Sequence, residues 1–494
     1  MRLLLRSTIT VLLVLALPTA ARAQVPHDAT VQRLAAAMLG PTPMLEDLRE
    51  LADEIGGRPT GSPANLRAVE WGLAKFKAMG VAATKEAFRM PDLWLENRAA
   101  ARITGPSIAF APTVAAMPWS VATPAGGVRA PLRDGGTGSD ADFARLGAAA
   151  RGAHVLIATT ELADIDGLFR EYREFGEVER RAAAAGVAGL IYMGSRPRNV
   201  LYRHNVNAGT ANRTPIAALE RDGGKRALRL LQAGVPLTLD LTLDLQIGGP
   251  YESHNVIGEI RGSEKPEEIV VIGAHLDSWD LGGGALDNGA NVAMMLDIAR
   301  QLRALGAAPR RTIRFALWNG EEQEMIGSWG YTRAHAAELD RHVMTTTVDI
   351  GCGRITGFFT NGRADLLAPL DRALAPVTGL GPFLNINVPI VGTDNFDFMM
   401  LGVPNLVANQ ESATYGPNYH ARSDELHECN PRELRLNAAI VGAMTWGFAN
   451  GDVTWTRDDR RAVEELVRTT DLGEQMKMFN VWHDWDTGVR SRLK

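Results

Sequence analysis

Residues 235–247 alternate apolar and polar positions, with Leu237, Leu239, Leu241, Leu243 and Leu245 sharing one parity, and a period of two is that of a strand with one buried face. Further along, apolar runs at 269–272, 312–317 and 344–348 predict strands, and they are separated by helical stretches such as 291–305. Strands that alternate with helices imply a mainly parallel sheet flanked by helices. Upstream, 65–79 carries helical patterning and is followed by extended segments around 85–88 and 99–103, the start of an α/β domain. Between these two parts the texture changes to many Gly and Ala residues with short apolar runs at 154–158 and 187–193, which reads as an inserted small domain closed by the alternating strand. The expected organisation is a first α/β part at 24–105, an insert at 106–247, a second α/β part at 248–450 and a polar C-terminal extension at 451–494, for which only a packing or oligomer-contact role is expected. The fold class is α/β, with a mixed, mainly parallel sheet flanked by helices and a β-rich insert.

The first residues carry an address. Arg2 and Arg6 precede a largely apolar stretch at 9–17, and Ala21-Arg22-Ala23 offers a small-x-small cleavage site before Gln24. This predicts a signal peptide over 1–23 and a secreted or periplasmic mature protein. The apolar stretch is shorter than the ~20 residues a spanning helix requires, so no stable membrane anchor is expected. The two cysteines, Cys352 and Cys429, lie far from the cleavage site, which excludes a lipid anchor there. A disulfide between them and a pair of free buried thiols fit the sequence equally well. At 494 residues with 46% hydrophobic content the chain can bury a large core in more than one domain. Lys+Arg 52 against Asp+Glu 57 gives a net charge of −5, so nucleic acid has no electrostatic footprint to bind.

Candidate chemistry gathers at predicted strand ends. A buried strand runs into His275-Leu276-Asp277, and residues two apart on extended backbone point the same way, so Asp277 can accept from one ring nitrogen of His275 while the other binds a metal. The glycine-rich loop 281–290 lacks the Lys-Ser/Thr of a phosphate loop and the spacing of a dinucleotide fingerprint; in a metal reading it projects Asp287 toward His275. In Trp318-Asn319-Gly320-Glu321-Glu322 adjacent side chains diverge, which allows Glu322 to bind metal while Glu321 holds the attacking water. Asp349 follows the strand at 344–348, and His420 lies in the segment 415–424. Ligands of open α/β sheets collect at carboxyl ends of strands, where His275, Glu321, Glu322 and Asp349 sit. Asp287, Glu322 and Asp349 bring three negative charges against four positive ones from two zinc ions, leaving room for one hydroxide. Imidazole and carboxylate donors suit zinc, and the absence of a Cys-x-x-Cys rules out a thiolate structural site.

The order His275-x-Asp277, Asp287, Glu321-Glu322, Asp349, His420 resembles the zinc aminopeptidase and glutamate carboxypeptidase superfamily. The stretches 273–280, 253–255, 57–62 and 392–394 are similar to its plasma glutamate carboxypeptidase branch, and the likeness spans about residues 45–450. It implies one zinc on His275, Asp287 and Asp349, and a second on Asp287, Glu322 and His420, with Asp287 bridging. It further implies Glu321 as general base, Asp277 as the carboxylate behind His275, a protease-associated domain as the insert, and a homodimer. Asn288 stands where this branch often carries a second acid. The resemblance implies an exopeptidase acting on dipeptides or short peptides, with an aminopeptidase on longer peptides as the alternative. A single-zinc glutaminyl cyclase and a non-catalytic receptor-like ectodomain are weaker alternatives, since every ligand and the base are present.

Overall fold

The computed structural model describes residues 27–491; the expected signal segment at 1–23 lies outside the described residues. A seven-stranded sheet runs in the spatial order Ala82–Met90, Tyr251–Ile260, Arg311–Trp318, Lys265–His275, His342–Thr347, Asn405–Gln410, Ile355–Phe359. Its three middle ladders are parallel and its three outer ones antiparallel. The strand Lys265–His275 has parallel neighbours on both sides and both faces covered. Val270, Ile272 and Ala274 pack with Met294 and Ile298 of the helix Ala290–Ala304 and with Ile440 and Met444 of the helix Pro431–Asn450. Ile269 and Val271 face the opposite cluster with Tyr331 and Phe398. A strand buried on both faces needs an apolar residue at every position, which is why this segment reads as a continuous run.

A second, eight-stranded sheet is built from strands within residues 93–248. Leu237–Gly248 pairs along Leu93–Gly105, and Leu237, Leu239, Leu241, Leu243 and Leu245 are all buried on its inner face, as the alternation predicts. Leu93–Gly105, expected in the first α/β part, is therefore a strand of this second sheet. The helix Ile165–Ala185 leaves it toward the C-terminal edge of the first sheet, where its Tyr172 meets Tyr419 with the two hydroxyl oxygens 2.8 Å apart.

The extension folds into the helices Arg460–Thr469, Leu472–Met478 and Trp482–Asp486. They bury Leu472, Met476 and Trp485 against Met325, Phe396 and Met400. Arg490 closes this packing through a fully buried pair with Asp397, Nη2 to Oδ2 2.7 Å. Among the described residues no helix is long and apolar enough to cross a membrane.

Cys352 and Cys429 form a disulfide, with Cα atoms 5.3 Å apart. It ties the loop after the strand His342–Thr347 to the chain just before the helix Pro431–Asn450. Because the bridged residues are 77 apart, loop-closure entropy predicts that the double substitution Cys352→Ala/Cys429→Ala lowers stability by about 4 kcal/mol. Urea unfolding measures it, and a loss under ~1 kcal/mol would show that the bridge constrains little of the unfolded chain.

Candidate metal centre

Three parallel strands end at one edge of the first sheet and deliver acids and an imidazole to the same place. His275 is the last residue of its strand, Glu321 and Glu322 follow Arg311–Trp318, and Asp349 follows His342–Thr347. Beyond Glu322 the chain turns through left-handed Glu324 and Met325, with φ of 78° and 59°, before re-entering a helix at Ile326.

Asp287 comes from the glycine-rich loop, which buried Arg58 fastens down. Arg58 Nη1 donates to the Gly283 carbonyl at 2.8 Å, Nη2 to Gly284 at 2.9 Å and Nε to Leu276 at 2.5 Å. The Asp424 carboxylate accepts the N–H groups of Leu286 and Asp287 at 2.6 and 3.1 Å. His420, itself left-handed with φ 53°, is anchored through its carbonyl, which accepts the Arg203 N–H at 2.9 Å.

The result is two triads of buried ligand atoms that share one side chain, His275–Asp287–Asp349 and Asp287–Glu322–His420. His275 Nε2 lies 3.1 Å from Asp287 Oδ1 and 2.9 Å from Asp349 Oδ1. His420 Nε2 lies 2.8 Å from Glu322 Oε2 and 3.5 Å from Asp287 Oδ2, so each oxygen of Asp287 serves one triad. Glu321 belongs to neither, its Oε2 standing 3.9 Å from His275 Nε2.

Asp277 is placed differently from the expectation. His275 Nδ1 is 2.9 Å from the main-chain carbonyl of Asp277 and 3.7 Å from its carboxylate. That carboxylate instead accepts from the Thr60 hydroxyl at 2.8 Å and from the Glu321 N–H at 3.4 Å. The strand ends at His275 and the backbone that follows is irregular, so the two-residue parity of extended backbone no longer applies. A carbonyl can only accept, so Nδ1 carries a proton, and Nε2 is the nitrogen directed at Asp287 and Asp349, where an ion would compete with a proton for it.

Lone pairs facing carboxylates are a fit for cations. Both Glu322 oxygens are buried without a hydrogen-bond donor. Burial pushes Glu321 and Glu322 well above the carboxylate range, and their acidic neighbours add to it. Burial alone would lower His275, but Asp349, Glu321 and Asp287 overrule it and hold the ring well above its ordinary value. His420 is pushed down to about 4 by burial, which keeps it neutral and able to ligate. Asn288 stays outside the cluster, donating to the Val348 carbonyl at 2.9 Å and accepting from Asn291 at 2.6 Å.

Several residues at the site carry no sequence signal. The Tyr419 ring stacks on His420 with centroids 3.6 Å apart, and adjacency in sequence was its one clue. Tyr172, His204, Asn205 and Phe479 arrive from the second sheet's segment and from the extension. Two cavities meet at Glu321, Tyr419 and His420: an apolar one of about 230 Å3 that includes Phe169, Ile350, Phe359 and Val407, and a smaller one of about 60 Å3 with mixed polar and apolar walls.

An α/β sheet whose strand ends carry paired His/carboxylate triads around a shared Asp, with a free Glu beside them, defines a metallopeptidase. Residues 255–445, which hold both triads and Glu321, match the model described as Peptidase family M28. Rat Carboxypeptidase Q is 25% identical over 412 residues, covering 82% of this chain and 85% of the relative. The crystal structure of a Peptidase M28 precursor from Shewanella amazonensis SB2B superposes with a TM-score of 0.79 at 28% identity, covering 88% of this chain and 99% of that one. BSAP, a zinc aminopeptidase from Bacillus subtilis, shares the fold, with a TM-score of 0.65 at 21% identity over 84% of this chain and 96% of its own.

Proposed function

We propose that this protein is a dinuclear zinc exopeptidase of dipeptides and short peptides that works outside the cytoplasm. The observation that carries the reading is the sharing of Asp287 between two buried triads beside one cavity lined by Asp287, Asp349 and His420. One zinc would be held by His275, Asp287 and Asp349, the other by Asp287, Glu322 and His420. Imidazole nitrogen and carboxylate oxygen suit zinc, and thiolate ligands are absent from both triads. When bound, the ions supply Lewis-acid polarisation of the scissile carbonyl and lower the pKa of the attacking water.

The chain's own residues do the rest. Glu321 Oε2 takes the proton of the attacking water and passes it to the leaving amine. Its main-chain N–H, held by Asp277 at 3.4 Å, fixes where the carboxylate begins, and the Asp277 carbonyl fixes the His275 tautomer. The segment 93–248 is the protease-associated insert in this reading. Its Tyr172, together with Phe479 of the extension, walls the cavity and excludes bulk water.

Walls of that kind admit a chain end and stop a folded or long extended chain. Incubation with unblocked dipeptides, longer peptides and a denatured protein therefore gives amino acids released from ends, with activity falling as length grows. Internal fragments of the denatured protein as early products would overturn the exopeptidase reading.

A further inference from the structure

The C-terminal extension packs against Met325, on the turn that carries two of the site's acids, and one of its residues does more there than packing requires. Glu321 and Glu322 lie on the turn between the strand Arg311–Trp318 and the helix Ile326–Ala334. Within it the Met325 N–H donates to the Glu321 carbonyl at 2.9 Å, and the Ile326 N–H to the Gly320 carbonyl at 2.9 Å. Glu324 and Met325 are consecutive left-handed residues, with φ of 78° and 59°. Residues with a Cβ adopt that conformation rarely, and it persists where the surroundings hold it in place.

What holds it comes from the far end of the chain. Arg490 Nη1 donates to the Glu324 carbonyl at 2.9 Å and Nη2 to the Met325 carbonyl at 3.4 Å. Asp397 grips the same guanidinium, accepting from Nε at 3.1 Å and from Nη2 at 2.7 Å. Arg490 is itself set by its main-chain N–H, which donates to the Asp484 carbonyl at 3.0 Å, and its guanidinium stands 5.0 Å from the Trp329 ring centroid and 5.3 Å from that of Phe396.

The division of donors matters. Nε and Nη2 suffice to pair with Asp397, so the bonds to two successive main-chain carbonyls are additional. A planar fork with five fixed donors can meet a carboxylate and two carbonyls together, whereas an ammonium is a point charge without that fork. A short path of hydrogen bonds then runs from Arg490 to the Met325 carbonyl and from the Met325 N–H to the Glu321 carbonyl. Arg490 lies outside the residues 255–445 that match the family model.

We infer that Arg490 is a positioning residue for the turn 320–326, and that the C-terminal extension is thereby a working part of the metal site. Its guanidinium holds the left-handed course of the turn and so fixes where Glu321 and Glu322 stand. This rests on the dinuclear zinc reading above and assigns to the extension a role in it.

The test uses the full chain with Arg490→Lys, which keeps a positive charge against Asp397 but gives up the fork, and with Arg490→Met/Asp397→Leu, which removes both buried charges together. Hydrogen exchange of the metal-free protein reads the turn directly. Amides within 320–326 exchange about 10-fold or more faster in both variants, while those of the helix Pro431–Asn450 keep their wild-type rates. Zinc titration shows the second site, which contains Glu322, weakened by about 10-fold or more, and the first site by less than about 3-fold. At saturating zinc kcat falls by about 10-fold or more with KM changed by less than about 3-fold, the split expected when the base is displaced and binding is not. Wild-type exchange in the turn overturns the inference, and so does a weakening spread equally over both zinc sites, which is what a generally loosened fold gives. Should the double variant fail to fold, Arg490→Lys carries the decision on the same readouts. A wild-type chain that takes up fewer than two zinc ions would instead bring down the dinuclear reading, and the exchange result would still report on the turn.

Discussion

Glu321→Gln is expected to keep the full metal content of the wild-type enzyme while kcat falls by about 10²- to 10⁴-fold, the range that a positioned general base contributes. Glutamine has the shape of glutamate but cannot hold the proton of the attacking water. Glu321 belongs to neither triad, so its charge is not needed to retain an ion. The adjacent substitution Glu322→Gln should do the opposite. Glu322 Oε2 lies 2.8 Å from His420 Nε2 inside the second triad, and replacing a charged donor by a neutral one weakens metal binding itself. Activity of Glu322→Gln then returns in part when zinc is raised, whereas that of Glu321→Gln does not. Metal analysis alongside steady-state kinetics separates the two, and zinc loss from Glu321→Gln with retention in Glu322→Gln would reverse the assignment of base and ligand.

That Glu321 and Glu322 point to different places was legible in the sequence, because the reason is local: both follow a strand end, and adjacent side chains diverge, so that only Glu322 joins a triad. The strands 269–272, 312–317 and 344–348 were legible for a related reason. Burial on both faces writes itself into every position of a parallel strand. What the sequence concealed acts through space. The pairing of Leu93–Gly105 with Leu237–Gly248 joins segments more than a hundred residues apart, and composition alone assigned the first of them to the other part of the chain. Asp277 faces His275 with its carbonyl instead of its carboxylate, because the backbone becomes irregular where the strand ends. Cys352 and Cys429 are 77 residues apart, a separation equally compatible with bonded and free thiols until the fold brings their Cα atoms to 5.3 Å. Tyr172, Asn205 and Phe479 sit in ordinary amphipathic or polar surroundings, and nothing in their neighbours announces a cavity wall.

The shared carboxylate yields the sharpest metal prediction. Chelator-stripped protein should take up about two zinc ions per chain, with hydrolysis recovered only as the second site fills. Each oxygen of Asp287 faces a different triad, Oδ1 toward His275 at 3.1 Å and Oδ2 toward His420 at 3.5 Å. Asp287→Ala should therefore weaken both sites and abolish measurable turnover, while Asp349→Ala weakens the first alone and His420→Ala the second alone. Stability should follow occupancy, since an ion held only by the folded chain stabilises it by ~4 kcal/mol at a thousandfold excess over its Kd. The wild type should gain melting temperature in two steps as zinc is added, Asp349→Ala and His420→Ala in one, and Asp287→Ala in none over the same range. If Asp287→Ala still bound one zinc with wild-type affinity, the two triads would not share a ligand, and a chain fully active with a single tightly bound ion would exclude the dinuclear site altogether.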